Sequence, residues 1–455
     1  MHSSPGLVGM LFEQSVQFAS LSDIGFRRQN NQDSFAVHLC KEREVWERRG
    51  HLFVVCDGMG GHAVGELASK LAVDTIPHAF QKSTVANPRD ALQAAVVDAN
   101  RVINERGTQN REFERMGTTC TALALGSTGV LVGHVGDSRA YRIRGNQIDQ
   151  LTADHSLVWE MIQQRRVHPK DASTLVPKNI ITRSLGVEPT VNVDMEGPFP
   201  ALPGDVYVLC SDGLTNLVSD QEIGVTVREL APAEACRFLV NLANLRGGID
   251  NITVIAVRLG PMPEAASLEG IPERDDSHSQ NVSWVDLAWL AAMAASGLTG
   301  LGMMLLSEEW RAVGIGLAGL AVALFLVGTI LRRRGSPGTN PSPSLTDSMA
   351  TVLWRPYRTA SARATPDLID RLARLHAELQ KAAREENWSI NWEEHDELAQ
   401  KFALATMEKK LSRAFRDLTK AISVLMSGVQ AQRRRLKRES RWGNVQRKKD
   451  TSSGG

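Results

Sequence analysis

Five short stretches that set aspartate beside small or amide residues recur through the first 255 residues of this 455-residue chain. They are SDIGFRRQNNQDS (Ser22 to Ser34), VVCDGMGGH (Val54 to His62), VGDSRAY (Val135 to Tyr141), LCSDGL (Leu209 to Leu214) and GGIDNITV (Gly247 to Val254). Carboxylates are hard oxygen donors, suited to Mg²⁺ and Mn²⁺, and aspartates from such distant points form one site only if the fold gathers them. Taken singly, Asp-Gly and Ser-Asp-Gly are ordinary turn sequences. Two of these, however, close compact apolar runs, LFVVCDG and VYVLCSDG. That is the pattern by which a buried strand delivers a carboxylate to the rim of a sheet.

The elements needed to position such acids can be read from periodicity. TTCTALAL, GVLVGHVG, AYRIRG and DVYVLCSDG read as strands, and the stretches near Gly65 to Phe80 and Arg89 to Glu105 as helices. Runs of strands broken by paired helices imply an α+β sandwich, two packed sheets with helices outside.

With MGTTCTALAL (Met116 to Leu125), LTADHSLV from Leu151 and NIITRSLG (Asn179 to Gly186), the motifs from about Ser20 to Leu259 resemble, in order and spacing, the metal-dependent type 2C (PPM) protein serine/threonine phosphatases in their bacterial form. The resemblance implies an αββα fold and a catalytic domain over 12–260. It implies that Asp57 bridges two Mn²⁺ or Mg²⁺ ions, that the Gly58 carbonyl adds a ligand to one, and that Asp212 and Asp250 complete the other. Asp137 would share a third, weaker ion with Asp212, and Asp33 would act mainly through metal-bound water. Arg28 matches the arginine that grips the substrate phosphate, with Arg27 beside it as the second candidate. His62 is the candidate acid for the departing oxygen, and a structural role beside the glycine turn is the alternative. Gln32 departs from the family's usual glutamate and removes one negative charge near the cations.

The chemistry such residues perform follows from their types. Two divalent ions about 3.5–4 Å apart acidify a bridging water, giving a hydroxide placed for in-line attack on phosphorus. A bidentate, permanently charged arginine suits the phosphoryl oxygens. No covalent phosphoenzyme is required.

The remainder of the chain is legible mainly through local composition, because the overall balance, with 23% charged residues and a net charge of +1, singles out no function class. The five cysteines, Cys40, Cys56, Cys120, Cys210 and Cys236, are odd in number and lack a C-x-x-C spacing. With no signal pattern at the N-terminus, a reduced, cytosolic catalytic domain is expected. A polar, acidic linker follows over 261–283. A transmembrane hairpin is expected over 284–334, from two uncharged twenties, 287–306 and 312–331, joined by five residues. Arg332, Arg333 and Arg334 follow the second span and place that end in the cytosol by the positive-inside rule.

Beyond a Pro/Ser-rich linker over 335–364, an all-α region is expected: a helical domain or coiled coil over 365–430, then a basic disordered tail over 431–455. Thr365-Pro366 opens a stripe of Leu368, Leu372, Leu375 and Leu379, and Leu411, Phe415, Leu418, Ile422 and Leu425 form a second. The basic tail suits anionic lipid, and the absence of a recognisable nucleic-acid module leaves no nucleic-acid partner expected. The whole reads as a phosphatase in the inner or plasma membrane, with catalytic domain and tail cytosolic. Its expected partners are phosphoproteins and their kinases, membrane lipid, and a helix–helix partner through the C-terminal region. The rival reading is a phosphatase-like scaffold that binds phosphoproteins and presents the helical tail.

Overall fold

A computed structural model describes residues 16–60, 62–168, 171, 177, 180–260 and 356–452. Its architecture follows from strands that are apolar on both faces and so need cover on both sides. One antiparallel sheet has the order β1 (Val16–Asp23), β11 (Ile252–Leu259), β10 (Val206–Cys210), β7 (Arg139–Arg144), β8 (Gln147–Gln150) and β12 (Arg358–Ser361). The other runs β2 (Asp33–His38), β3 (His51–Met59), β5 (Cys120–Gly126), β6 (Gly129–Val135) and β9 (Asp194–Phe199), with the two-residue β4 (Gly117–Thr118) against β3.

Alternation along each strand divides its side chains between two cores. Leu52, Val54 and Cys56 of β3 pack with Ile76 and Phe80 of α2 (His62–Lys82) and Leu92 and Val96 of α3 (Pro88–Gln109). Val206, Val208 and Cys210 of β10 pack with Ile223 of α6 (Asp220–Glu229) and Phe238 and Leu239 of α7 (Pro232–Leu245). The intervening Phe53, Val55, Tyr207 and Leu209 are equally buried and point to the opposite faces, where β10 and β11 meet β3. The result is the α+β sandwich expected from the sequence. All five cysteines are free and buried, as small hydrophobes.

Several expectations beyond residue 260 meet a different fate. The linker over 261–283 and both expected spans lie outside the described residues, and among the described residues no helix is long and apolar enough to cross a membrane. The expected linker over 335–364 is not linker at its end: Arg358–Ser361 adds β12 to the exposed edge of β8, pairing Arg358 with Gln150 and Ser361 with Gln147. The edge backbone of β8 thereby gains hydrogen-bond partners.

The helices α8 (Pro366–Glu385), α9 (Trp392–Met407) and α10 (Leu411–Ser452) do not make a separate domain or coiled coil. They form one compact unit with the catalytic fold. Leu368, Leu372 and Leu379 of α8 and Phe415, Leu418, Ile422 and Leu425 of α10 share the core of α6 and α7, because α7 carries a matching apolar face. Phe415 meets Phe238 edge-on at 6.2 Å. Beside them, fully buried Glu229 accepts from Ser412 at 3.0 Å and from Arg416 at 2.9 Å. Finally, α10 continues to Ser452 through most of the segment expected as disordered tail. Its run of Gln, Arg, Lys, Leu and Glu without proline favours helix, a preference the charge count alone conceals.

This shared core has a measurable consequence. Phe415→Ala is expected to cost about 3–5 kcal/mol through lost burial and the cavity left behind. Denaturant unfolding of the full chain, followed by fluorescence and by residual activity, is expected to show both transitions moving together. A shift confined to one of two separate transitions would mean that the tail folds independently.

Candidate active site

Antiparallel pairing of β2 and β3 sets Asp33 directly opposite Asp57. The Asp57 main chain is fixed from the other side: its N–H donates to Thr119 Oγ1 at 2.9 Å, and its carbonyl accepts from Thr119 N–H at 2.8 Å and Thr118 Oγ1 at 2.9 Å. Thr119 Oγ1 in turn bonds Ser138 Oγ at 2.8 Å, which ties the Asp57 strand to the turn bearing Asp137. Gly58 passes so close to α2 that a Cβ would lie 2.0 Å from the Gly65 carbonyl oxygen, so only glycine fits there. Asp212 opens a one-turn helix, α5 (Asp212–Thr215), directly after β10, with Asn216 Nδ2 donating to its Oδ2 at 3.0 Å.

These aspartates are brought together. Burial, followed by the charges of Asp33, Asp212, Asp137 and Asp250, holds the Asp57 carboxyl well above the usual range. Burial pushes Asp33 up to about 7 against the pull of the Ser211 hydroxyl, which donates to Asp33 Oδ2 at 2.7 Å. Burial, then Asp212 and Asp154, pushes Asp137 up to about 8. Asp212 is raised by burial and then by Asp250. A cluster of like charges under a low dielectric is unstable without cations.

The donor set fits hard cations. Asp33 Oδ1, Asp137 Oδ1 and Asp212 Oδ1 are buried without a hydrogen-bond partner, which is costly for carboxylate oxygens unless something positive meets them. Among the described residues no three Asp, Glu, His or Cys side chains close on one point as a complete shell. Mg²⁺ does not demand that, since it commonly keeps several waters and takes only one or two carboxylates.

Arg28 Nη2 contacts Asp250 Oδ2 at 2.7 Å at the rim, with nearly half of its side chain exposed. Its pKa is raised, first by that hydrogen bond and further by the charges of Asp250, Asp57 and Asp212. Arg28 is therefore the arginine that faces the acids. His62 is the first residue of α2, and its side chain lies outside the described residues.

Several motif residues given no role in the sequence reading turn out to be braces. Asn251 Oδ1 accepts from the Gln32 N–H at 2.8 Å, and its Nδ2 donates to the Ile24 and Asn30 carbonyls at 3.0 Å each, clasping the Arg28 loop. Arg139 of GDSR pairs in a fork with Asp154 of ADHS, at 2.6 to 3.1 Å. His155 Nδ1 accepts from the Gly136 N–H at 2.9 Å, so its proton sits on Nε2 and is donated to Asp194 at 2.9 Å. With Arg183 also contacting Asp194, at 2.6 Å, that carboxyl is held down at about 2, His155 being the larger cause. From the far end of the chain, Arg433 on α10 donates to the Gly25 carbonyl at 2.5 Å and stacks over Phe26 at 4.4 Å, adding a further clasp on the Arg28 loop. No short-range sequence signal marks Arg433, since the contact joins residues 408 apart.

Comparison with known proteins adds an independent line. The sequence model described as Protein phosphatase 2C matches residues 27–237. The chain is 36% identical over 248 residues to the protein phosphatase PhpP of Streptococcus pneumoniae, spanning 54% of this chain and 98% of that one. It is 34% identical over 243 residues to the serine/threonine protein phosphatase PstP of Mycobacterium tuberculosis, spanning 53% of this chain and 44% of that one. A crystal structure of the PstP catalytic domain in complex with two manganese ions is 33% identical and spans 54% of this chain and 99% of the solved one, with a TM-score of 0.46.

The crowding of acids predicts a trade of function for stability. Asp57→Asn replaces a carboxyl whose ionisation is opposed by burial and by its neighbours with a neutral amide of the same shape, and is expected to raise the melting temperature of EDTA-treated protein by about 2–4 °C, while turnover is lost. Mn²⁺ is expected to stabilise the wild type through preferential binding to the folded state, and the variant much less. Differential scanning fluorimetry checks both; a destabilised variant that keeps the full Mn²⁺ shift would contradict this account of the site.

Proposed function

Because the chain belongs to the protein phosphatase 2C family, a family of metal-dependent protein serine/threonine phosphatases, we propose that its aspartate cluster binds two Mn²⁺ or Mg²⁺ ions and hydrolyses phosphoserine and phosphothreonine in proteins. The observation that carries this reading is the convergence of Asp33, Asp57, Asp137, Asp212 and Asp250, three with orphaned buried oxygens, beside Arg28. Asp57, the Gly58 carbonyl, Asp212 and Asp250 hold the two ions in this proposal; Asp137 shares a third with Asp212, and Asp33 acts through water. When bound, such ions supply an acidified water as nucleophile and neutralise the phosphoryl oxygens.

The protein's own groups then orient and select. The Thr118, Thr119 and Ser138 hydroxyls fix the Asp57 turn, and Ser211 fixes one oxygen of Asp33. Arg28 exchanges the carboxylate of Asp250 for the phosphate dianion, a stronger bidentate acceptor. His62, at the start of α2, is the proposed donor of a proton to the departing serine or threonine oxygen. Phosphorylated proteins and the kinases that make them are the proposed partners.

Membrane anchoring is part of the same proposal and is supported by the two uncharged twenties at 287–306 and 312–331 and by the three arginines after them. The hairpin holds the catalytic domain and α8 to α10 at the cytosolic face of the inner or plasma membrane. The basic segment from Arg433 to Lys449 adds attraction to anionic lipid and leaves a helix partner to the C-terminal region.

Two measurements test these proposals. Hydrolysis of a phosphothreonine peptide by the full chain is expected to need Mn²⁺ or Mg²⁺ and to stop with EDTA. Arg28→Ala is expected to lower kcat/KM by at least about tenfold, and Arg27→Ala by less. Turnover in excess chelator would remove the mechanism, and equal effects of the two substitutions would reassign the phosphate contact. For topology, in a variant without the native cysteines, Ser307→Cys is expected to react with an impermeant reagent in intact cells and Ser348→Cys only after permeabilisation. Labelling of the second in intact cells would reject the hairpin orientation, and protein that stays soluble after cell breakage would reject anchoring.

A further inference from the structure

A cleft of about 370 Å³ opens beside the metal-site aspartates, with Asp137 and Asp212 in its lining and Arg358 in its wall. Most of its charge is already spent. Asp137 and Asp212 belong to the cation cluster, while Arg139 is paired in a fork with Asp154 at 2.6 Å and lies 3.8 Å from Asp220. Arg358 is the exception. Its guanidinium lies 4.9 Å from the ring centre of Trp159, another residue of the cleft wall, and among the described residues no carboxylate pairs with it.

The backbone beneath this arginine is anchored on both sides. Arg358 pairs with Gln150 in the sheet, the Thr359 hydroxyl donates to Asp149 at 2.9 Å, and the Tyr357 hydroxyl donates to Glu196 at 2.6 Å. Tyr357 also meets Trp159 edge-on at 6.2 Å. An exposed cation seated on an aromatic face, on a strand that is hydrogen-bonded along its length, is preorganised to accept an anion. The strand lies well beyond residues 27–237, the part of the chain that the family model matches.

We propose that Arg358, stacked on Trp159, is a specificity subsite for a second oxyanion on the substrate polypeptide, an acidic side chain or another phosphate, close in sequence to the residue being dephosphorylated. The inference rests on the phosphatase reading. A phosphorylated side chain held at the aspartate cluster directs its neighbouring residues along the cleft, and the unpaired positive charge in the wall rewards an anionic neighbour over a neutral one. Trp159 and the strand hold the guanidinium in place, so less freedom is lost on binding.

The test uses the full chain with Mn²⁺ and three phosphothreonine peptides that differ only in their flanks: neutral, acidic, or carrying a non-hydrolysable phosphonate. The wild type is expected to favour at least one anionic flank over the neutral one in kcat/KM by about fivefold to tenfold, expressed mainly in KM. Preference for the acidic peptide alone identifies carboxylates as the recognised group, and preference for the phosphonate alone identifies clustered phosphates. Arg358→Ala is expected to reduce the anionic-to-neutral ratio to about one, Arg358→Lys to keep part of it, and Arg358→Glu to invert it. Trp159→Ala is expected to lower the ratio, with Trp159→Phe restoring most of it. A wild type without flank preference, or an Arg358→Ala variant whose ratio is unchanged, would overturn the subsite. If p-nitrophenyl phosphate and all peptides alike showed no metal-dependent turnover, the phosphatase reading would fall instead.

Discussion

The burial of several carboxylates close together, costly first through desolvation and then through their mutual repulsion, is the constraint around which this domain is built. Asp33 and Asp137 are buried, Asp57 and Asp212 are partly buried, and all four are raised in pKa, with burial the largest cause in every case. Left alone, such a cluster would spread apart or take up protons. It is kept together by backbone that cannot yield: Asp57 inside a strand paired on both sides, Asp33 opposite it in register, and Asp212 at the first turn after a fully buried strand. The two-sheet core thus holds together carboxylates that protons or cations must neutralise, and the stability of the surrounding fold opposes their separation.

A second layer of polar contacts converts this rigidity into orientation. Asn251 joins the Arg28 loop to the Asp250 loop, and Phe26 and Arg27 N–H groups both donate to the Gly248 carbonyl from the other direction. The Arg139–Asp154 and His155–Asp194–Arg183 contacts brace the Asp137 turn and the segment that follows it. Such partners matter because a phosphate or metal contact depends on where a side chain is held as much as on its identity.

The C-terminal region changes what the catalytic domain is. Its strand completes a sheet edge, its helices share a core with α6 and α7, and two of its arginines reach the neighbourhood of the active site, Arg433 at the Arg28 loop and Arg358 in the cleft. The catalytic core and the tail are therefore mechanically continuous, although residues 261–355 separate them in sequence.

The sequence by itself determined the local half of this protein. Which carboxylates would meet was implied by the family resemblance alone; what the residues themselves announced was β3 and β10, as apolar runs of strand length ending in aspartate, and β5 to β7, as alternating runs. These signals are short-range, carried by period and by turn chemistry, and they survive in one dimension. Tertiary structure decided what long-range pairing decides. Residues 358–361 read as linker because an edge strand of four residues has no period to detect, and it exists only where β8 offers unpaired backbone. The leucine stripes of the tail announced helices but not their partner, since an apolar stripe packs against any matching face, and α7 supplied one. The family resemblance ranked Arg28 ahead of Arg27, but the partner that holds its guanidinium, Asp250, lies 222 residues away and was visible only in the fold. A contact's energy depends on distance in space, and a single sequence records distance only along the chain.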